Sequence, residues 1–191
     1  MSNFWFYAEL GFFHVLDPGG YDHVLFLTAL ALPFSFVQWK KVFWLATLFT
    51  VTHCLSLALA AFGVVQVDSG LVELLIPITI LATALFNLYM EHRPDALQRT
   101  FRLDLMATGF FGLIHGLGFS NYFRMLMAGE DEKTTPLIGF AAGIEAAQLL
   151  VILVVLSVTF ALLNLAGVPR KYYIWTVSLL IAAISLKLIF F

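Results

Sequence analysis

Several ionisable and amide residues interrupt stretches that are otherwise apolar: Asp22 with His23, His53, Glu73, His115, and Glu145 with Gln148. Such groups are costly inside a bilayer, where they face a bundle interior or a water-filled cavity. Their chemistry is that of a metal site. Imidazole nitrogens and carboxylate oxygens suit first-row divalent ions, including nickel, cobalt, zinc and iron. The single cysteine, Cys54, excludes an internal disulfide and a Cys-rich zinc or iron–sulfur site. His53 and His115 read as paired ligands from facing helices. Asp22, His23 and Glu145 are candidate third and fourth ligands, or partners that orient them. Glu145 and Gln148 are spaced three apart, so they share one helical face. His14 and Asp17 have the same spacing and suggest an outer capture point. The ligands must be deprotonated, so metal uptake is expected to weaken at acidic pH. Plainer roles exist for each. A membrane histidine also serves as an interhelical hydrogen-bond partner, and a first-turn glutamate such as Glu73 favours the positive end of the helix dipole.

These residues need helices to position them. A bilayer-crossing helix takes about 20 largely apolar residues, and six stretches qualify: 18–37, 42–65, 71–90, 104–127, 136–165 and 172–191. The expected fold is therefore all-α, a six-transmembrane-helix bundle forming a single transmembrane domain over 1–191. The aromatic opening, Phe4 to Leu16, is short for a span and carries Glu9 and His14, which fits an N-terminal interfacial or re-entrant segment. At a rise of about 1.5 Å per residue, His53, His115 and Glu145 all lie roughly 14–16 Å below the same membrane face. Asp22, His23 and Glu73 fall in the first turns of their helices on that side. The ionisable groups thus converge on one half of the bundle if these helices pack together. Gly112 and Gly116 flank His115 at the G-x-x-x-G spacing, and small residues surround Glu145, both permitting close helix approach.

Composition agrees. Hydrophobic residues make up 61% of the 191 positions, charged residues 12%, and mean hydropathy is +0.95. A soluble domain carries about 25% charged residues. A net charge of -2 without a basic patch gives no footprint for nucleic acid. The start has no basic n-region or cleavage site, so no removed signal peptide is expected. Alternate loops hold seven basic residues (Lys40, Lys41, Arg93, Arg99, Arg102, Arg170, Lys171) against three on the other side (Arg124, Lys133, Lys187). The positive-inside rule puts the seven in the cytoplasm, with both termini extracytoplasmic, in a bacterial-type cytoplasmic membrane.

The motifs resemble the HupE/UreJ family of hydrogenase and urease accessory membrane proteins. The resemblance runs through Gly11-Phe12-Phe13-His14, Gly20-Tyr21-Asp22-His23-Val24-Leu25-Phe26 and Phe49-Thr50-Val51-Thr52-His53-Cys54-Leu55-Ser56. It continues through Val72-Glu73, Phe111-Gly112-Leu113-Ile114-His115-Gly116-Leu117-Gly118-Phe119, and Phe140, Gly143, Ile144-Glu145 and Gln148. It implies a small permease for nickel or cobalt destined for metalloenzymes, with metal carried by His14, Asp22, His23, His53, Glu73, His115 and Glu145. Against the family pattern, Cys54 stands where serine is usual, Ala141 where asparagine is common, and Pro77 where alanine is expected.

Three function classes follow. The first is a secondary transporter or facilitator of a divalent metal, since no Gly-rich phosphate-binding motif is present to use ATP. The second is an intramembrane zinc-dependent hydrolase of lipid or peptide. There His23, His53 and His115 hold zinc, Asp22 or Glu145 is the general base, and Ser56 is a supporting donor. The third is a metal-binding membrane sensor or assembly partner. The lipid bilayer and the metal ion are the expected partners, with room for a homo-oligomer or a metalloenzyme-maturation partner. Below His53 and His115 the spans offer little polarity beyond Asn87 and Thr108.

Overall fold

The structure is a computed structural model that describes residues 2–92, 101–129 and 132–190. Arg93 and Arg99 of the basic side, and Glu130 and Asp131, lie outside the described residues. The chain is all-α: α1 (Ser2–Val15), α2 (Asp22–Ala31), α3 (Trp39–Ala61), α4 (Ser69–His92), α5 (Phe101–Leu126), α6 (Thr134–Phe160) and α7 (Arg170–Phe190). Among the described residues, five helical segments are long and apolar enough to cross a membrane: Phe36–Ala61, Ser69–His92, Phe101–Leu126, Thr134–Leu165 and Arg170–Phe190. Only 33–44% of the most apolar window of each is buried. Large apolar side chains such as Trp44, Met106, Leu153 and Leu180 therefore point outward, as a lipid-facing surface requires.

The structure departs from the expected continuous span over 18–37. The helix there is α2, which has ten residues and reaches only about 15 Å at the usual rise. Two breaks explain it. Before α2, the Asp17 carbonyl and carboxylate accept the backbone N–H groups of Gly20 (3.1 Å) and Gly19 (2.8 Å), which folds 17–20 into a turn. After α2 comes Pro33, which lacks the N–H that would bond the Ala29 carbonyl. The Asn87 side-chain amide donates to that carbonyl instead, at 2.7 Å. Asn87 is thus the partner that lets α2 end inside protein. The aromatic N-terminal segment is a helix of 14 residues packed along α6.

Glycines set the two closest helix pairs. In the α3–α5 pair, a Cβ at Gly112 would meet Thr52 and the Phe49 backbone, and one at Gly116 would meet the His53 carbonyl and Ser56. In the α1–α6 pair, a Cβ at Gly143 would meet the Ala8 carbonyl and the Phe12 amide, and one at Gly11 would meet the Phe140 carbonyl. A third pair is α4–α7. Arg170 donates to the Pro33 carbonyl (3.0 Å) and pairs with Glu91 (3.6 Å). The α2–α3 connection, the end of α4 and the start of α7 therefore share one end of the bundle. Lys133 lies over the Phe62 ring at 5.5 Å, at the opposite end.

Candidate metal centre

His23 is the second residue of α2, beside the turn that breaks the chain, and its ring is a hub. Its centroid lies 4.7 Å from His14, 5.4 Å from His53 and 5.4 Å from His115. One nitrogen from each of His14, His23 and His53 falls within 4.8 Å of the others. The same holds for ligand atoms of Asp22, His23 and His115. His23, His53 and His115 are at most 3% exposed. Phe26 and Phe49 pack against His115 (5.3 Å each), and Phe119 and Phe140 pack against His14 (4.0 and 5.6 Å). The surroundings are apolar and offer the rings few hydrogen-bond partners.

Hydrogen bonding assigns which nitrogens are free. The Asp22 carboxylate faces His23 Nδ1 at 3.2 Å and also accepts the His23 backbone N–H at 3.0 Å. A carboxylate accepts, so Nδ1 carries the proton and Nε2 keeps its lone pair. The Thr79 hydroxyl donates its proton to the Ile76 carbonyl at 2.7 Å and lies 3.2 Å from His115 Nε2. It therefore accepts from Nε2–H, and the His115 lone pair sits on Nδ1. Both assignments follow from the bonding network. Among the described residues, His14 Nε2, His23 Nε2, His115 Nδ1 and both ring nitrogens of His53 are buried without a hydrogen-bond partner. Orphaned buried polar atoms are rare and destabilising, and a cation would satisfy the one nitrogen of each ring that carries a lone pair.

The other expected residues lie elsewhere. Glu145 accepts hydrogen bonds from Thr47 (2.7 Å) and Thr50 (2.5 Å) of α3 and belongs to neither group of clustered ligands. Gln148 is fully buried, and both its amide atoms lack a hydrogen-bond partner among the described residues. Glu73 is exposed and shares a cavity of about 180 Å³ with Asp22, Gly20 and Pro77. Asp17 and His14 share a second cavity, of about 440 Å³, with Phe13, Phe119 and Tyr122. The cluster is thus approached from two sides. Ser56 donates to the His53 carbonyl at 3.0 Å. Sequence reasoning missed Thr79 and Thr47. The signal for Thr47 was its spacing of three from Thr50, which puts both hydroxyls on one face of α3.

No curated protein and no solved structure matches the chain. A family model described as "HupE / UreJ protein" matches residues 1–191. The membrane-spanning helices and the clustered His and Asp side chains fit a metal-binding membrane protein of that type. With the match covering its whole length, the chain belongs to the HupE/UreJ family.

Proposed function

We propose that this protein binds a divalent transition metal, most readily nickel or cobalt, at the histidine cluster and carries it across the cytoplasmic membrane as substrate. The observation that supports this best is the convergence of orphaned imidazole nitrogens around His23. A nitrogen-rich donor set without thiolate suits nickel, cobalt and zinc. His23 belongs to both ligand groups and has one lone pair to give while Asp22 holds its Nδ1–H. The cluster therefore takes one ion at a time, passed between a His14–His23–His53 position and an Asp22–His23–His115 position. Glu73 and Asp17 sit at the two cavities and act as outer carboxylates that gather the ion. Glu145 and Gln148 act from α6 as supporting polar groups.

The finer topology belongs to the same reading. Residues 1–191 form one transmembrane domain with six crossings, the first made of α1 and α2 in series with a break at the metal site. Discontinuous helices of this kind line substrate sites in other transporters. The end that holds Arg170, Lys171, Lys40 and Lys41 faces the cytoplasm by charge, which leaves both termini outside.

Uptake of nickel into vesicles containing the purified protein and a trapped metal-sensitive dye tests this directly. Influx above that of protein-free vesicles is expected, without ATP. A protein that binds nickel tightly but gives no influx would sink the transport reading. A second reading, a zinc-dependent hydrolase, draws on the cavity beside His14, whose rim includes the exposed Phe13 and Tyr122. In that case zinc-loaded protein should cleave lipid or peptide in the same vesicles.

Thr79 provides a finer test of the site. Removing a partner that orients a metal-ligating histidine typically weakens metal binding by roughly 10–100-fold. Thr79→Val should lower nickel affinity about tenfold and shift the His115 ring-nitrogen NMR signals towards a mixture of tautomers. Unchanged affinity with unchanged signals would remove Thr79 from the account.

A further inference from the structure

The two cavities that approach the histidine cluster differ in what they offer an arriving ion. The smaller, of about 180 Å³, has the carboxylates Asp22 and Glu73 in its wall and, among the described residues, no imidazole. There the Asp22 Oδ1 atom already accepts from the backbone N–H and the ring Nδ1 of His23. The larger, of about 440 Å³, has both a carboxylate, Asp17, and an imidazole, His14, in its wall. His14 is half-buried, and its Nε2 is buried without a hydrogen-bond partner among the described residues. One ring therefore borders the cavity and also belongs to the His14–His23–His53 group. Imidazole suits nickel better than a carboxylate does, and only the larger cavity presents an imidazole of the cluster.

Phe119 stands at the same boundary. It lines the larger cavity, and its ring lies against His14 with the centroids 4.0 Å apart. Rings in van der Waals contact leave no space for an ion between them. Phe119 is four residues from His115 on α5, so the two share one helical face, a turn apart. Its ring is stacked on Phe140 of α6 at 5.2 Å and 5°, and it meets Tyr122 at 5.1 Å. Such aromatic pairs hold a ring in a preferred place without fixing it there. Phe140 also packs on His14, at 5.6 Å, but it is fully buried. Phe119 is half-buried and borders open space. Of the two phenyl rings on His14, Phe119 is the one with room to swing aside.

We propose that the divalent ion enters through the cavity at Asp17 and His14, and that the Phe119 ring is the gate between this cavity and the buried histidines. The inference rests on the metal-binding part of the reading above and gives it an entry side. Phe119 supplies no ligand atom. A gate of this kind sets how fast an ion passes in either direction and leaves the binding equilibrium almost where it was. A residue that merely packs the site behaves differently, because its loss lets the histidines drift apart and weakens binding.

The experiment uses the full chain in detergent, with nickel as the probe. Stopped-flow mixing with a metal-sensitive dye gives the rate of association, a chelator challenge gives the rate of release, and equilibrium dialysis gives the affinity. Phe119→Ala should speed association and release together, each at least tenfold, with affinity within threefold of the parent. Leu188→Ala, which widens the smaller cavity, should leave both rates as in the parent. Parent-like rates in Phe119→Ala overturn the proposal and leave metal binding intact. Faster rates in Leu188→Ala alone overturn it too, by moving entry to the smaller cavity. A loss of affinity beyond tenfold, with only release quickened, makes Phe119 a packing residue and overturns the gate. If Phe119→Ala does not fold, Phe119→Leu decides: both rates should rise at least threefold, and parent-like rates there overturn the proposal. A parent that binds no nickel overturns the metal-binding reading, and this inference with it.

Discussion

Tight nickel binding is expected to fall by more than about 100-fold in His23→Ala. Loss of a mere orienting partner typically costs roughly 10–100-fold, and His23 belongs to both ligand groups. His53→Ala leaves the Asp22–His23–His115 group whole, and His115→Ala leaves His14–His23–His53 whole. Each of these should cost less than His23→Ala. Equilibrium dialysis against nickel, followed by metal analysis, gives the order of the three. If His23→Ala binds within about threefold of the parent, the hub arrangement is wrong, whatever the other two variants do.

The second large effect is structural. Gly116→Ala should cost about 1–3 kcal/mol, the range found for overpacking a filled interior. That corresponds to roughly 2–12 °C in Tm for a chain of this size. The added methyl falls on the His53 carbonyl and the Ser56 hydroxyl, and backbone cannot rotate aside as a side chain can. α5 must back away from α3, taking His115 with it, so metal affinity should drop along with stability. Gly118→Ala provides the contrast, because its nearest neighbour is the tip of the Ile76 side chain at 2.9 Å. Thermal unfolding in detergent separates them. Equal Tm values for Gly116→Ala and the parent would refute the close-approach argument.

Hydropathy and burial cost made the membrane-helical class legible, together with the depth at which His53 and His115 would sit. The site was legible as a set of residue types. It was not legible as a set of contacts, because spacing along a helix gives a face but not the neighbour that face meets. Glu145 illustrates the gap. Its depth matched His53, yet α6 turns it towards Thr47 and Thr50. The apolar run over 18–37 hid a ten-residue helix, because hydropathy averages over the turn at Asp17–Gly20 and the missing donor at Pro33. Asp104 read as a helix start. Only the placement of α4 against α5 made it a buried carboxylate in line with His115.

The glycine contacts have a mechanical consequence. Backbone-to-backbone packing makes α3–α5 one stiff body and α1–α6 another. His53 and His115 ride on the first and His14 on the second, while α2 brings His23 between them. The two bodies are joined at Glu145 by hydroxyl hydrogen bonds from Thr47 and Thr50, which can break and reform as a backbone interlock cannot. A slide of one body against the other would open or close the gap between His14 and His53 and leave the spacing of His53 and His115 fixed. The histidine cluster is thus divided between two tightly packed helix pairs, and the Glu145 hydrogen bonds join one pair to the other.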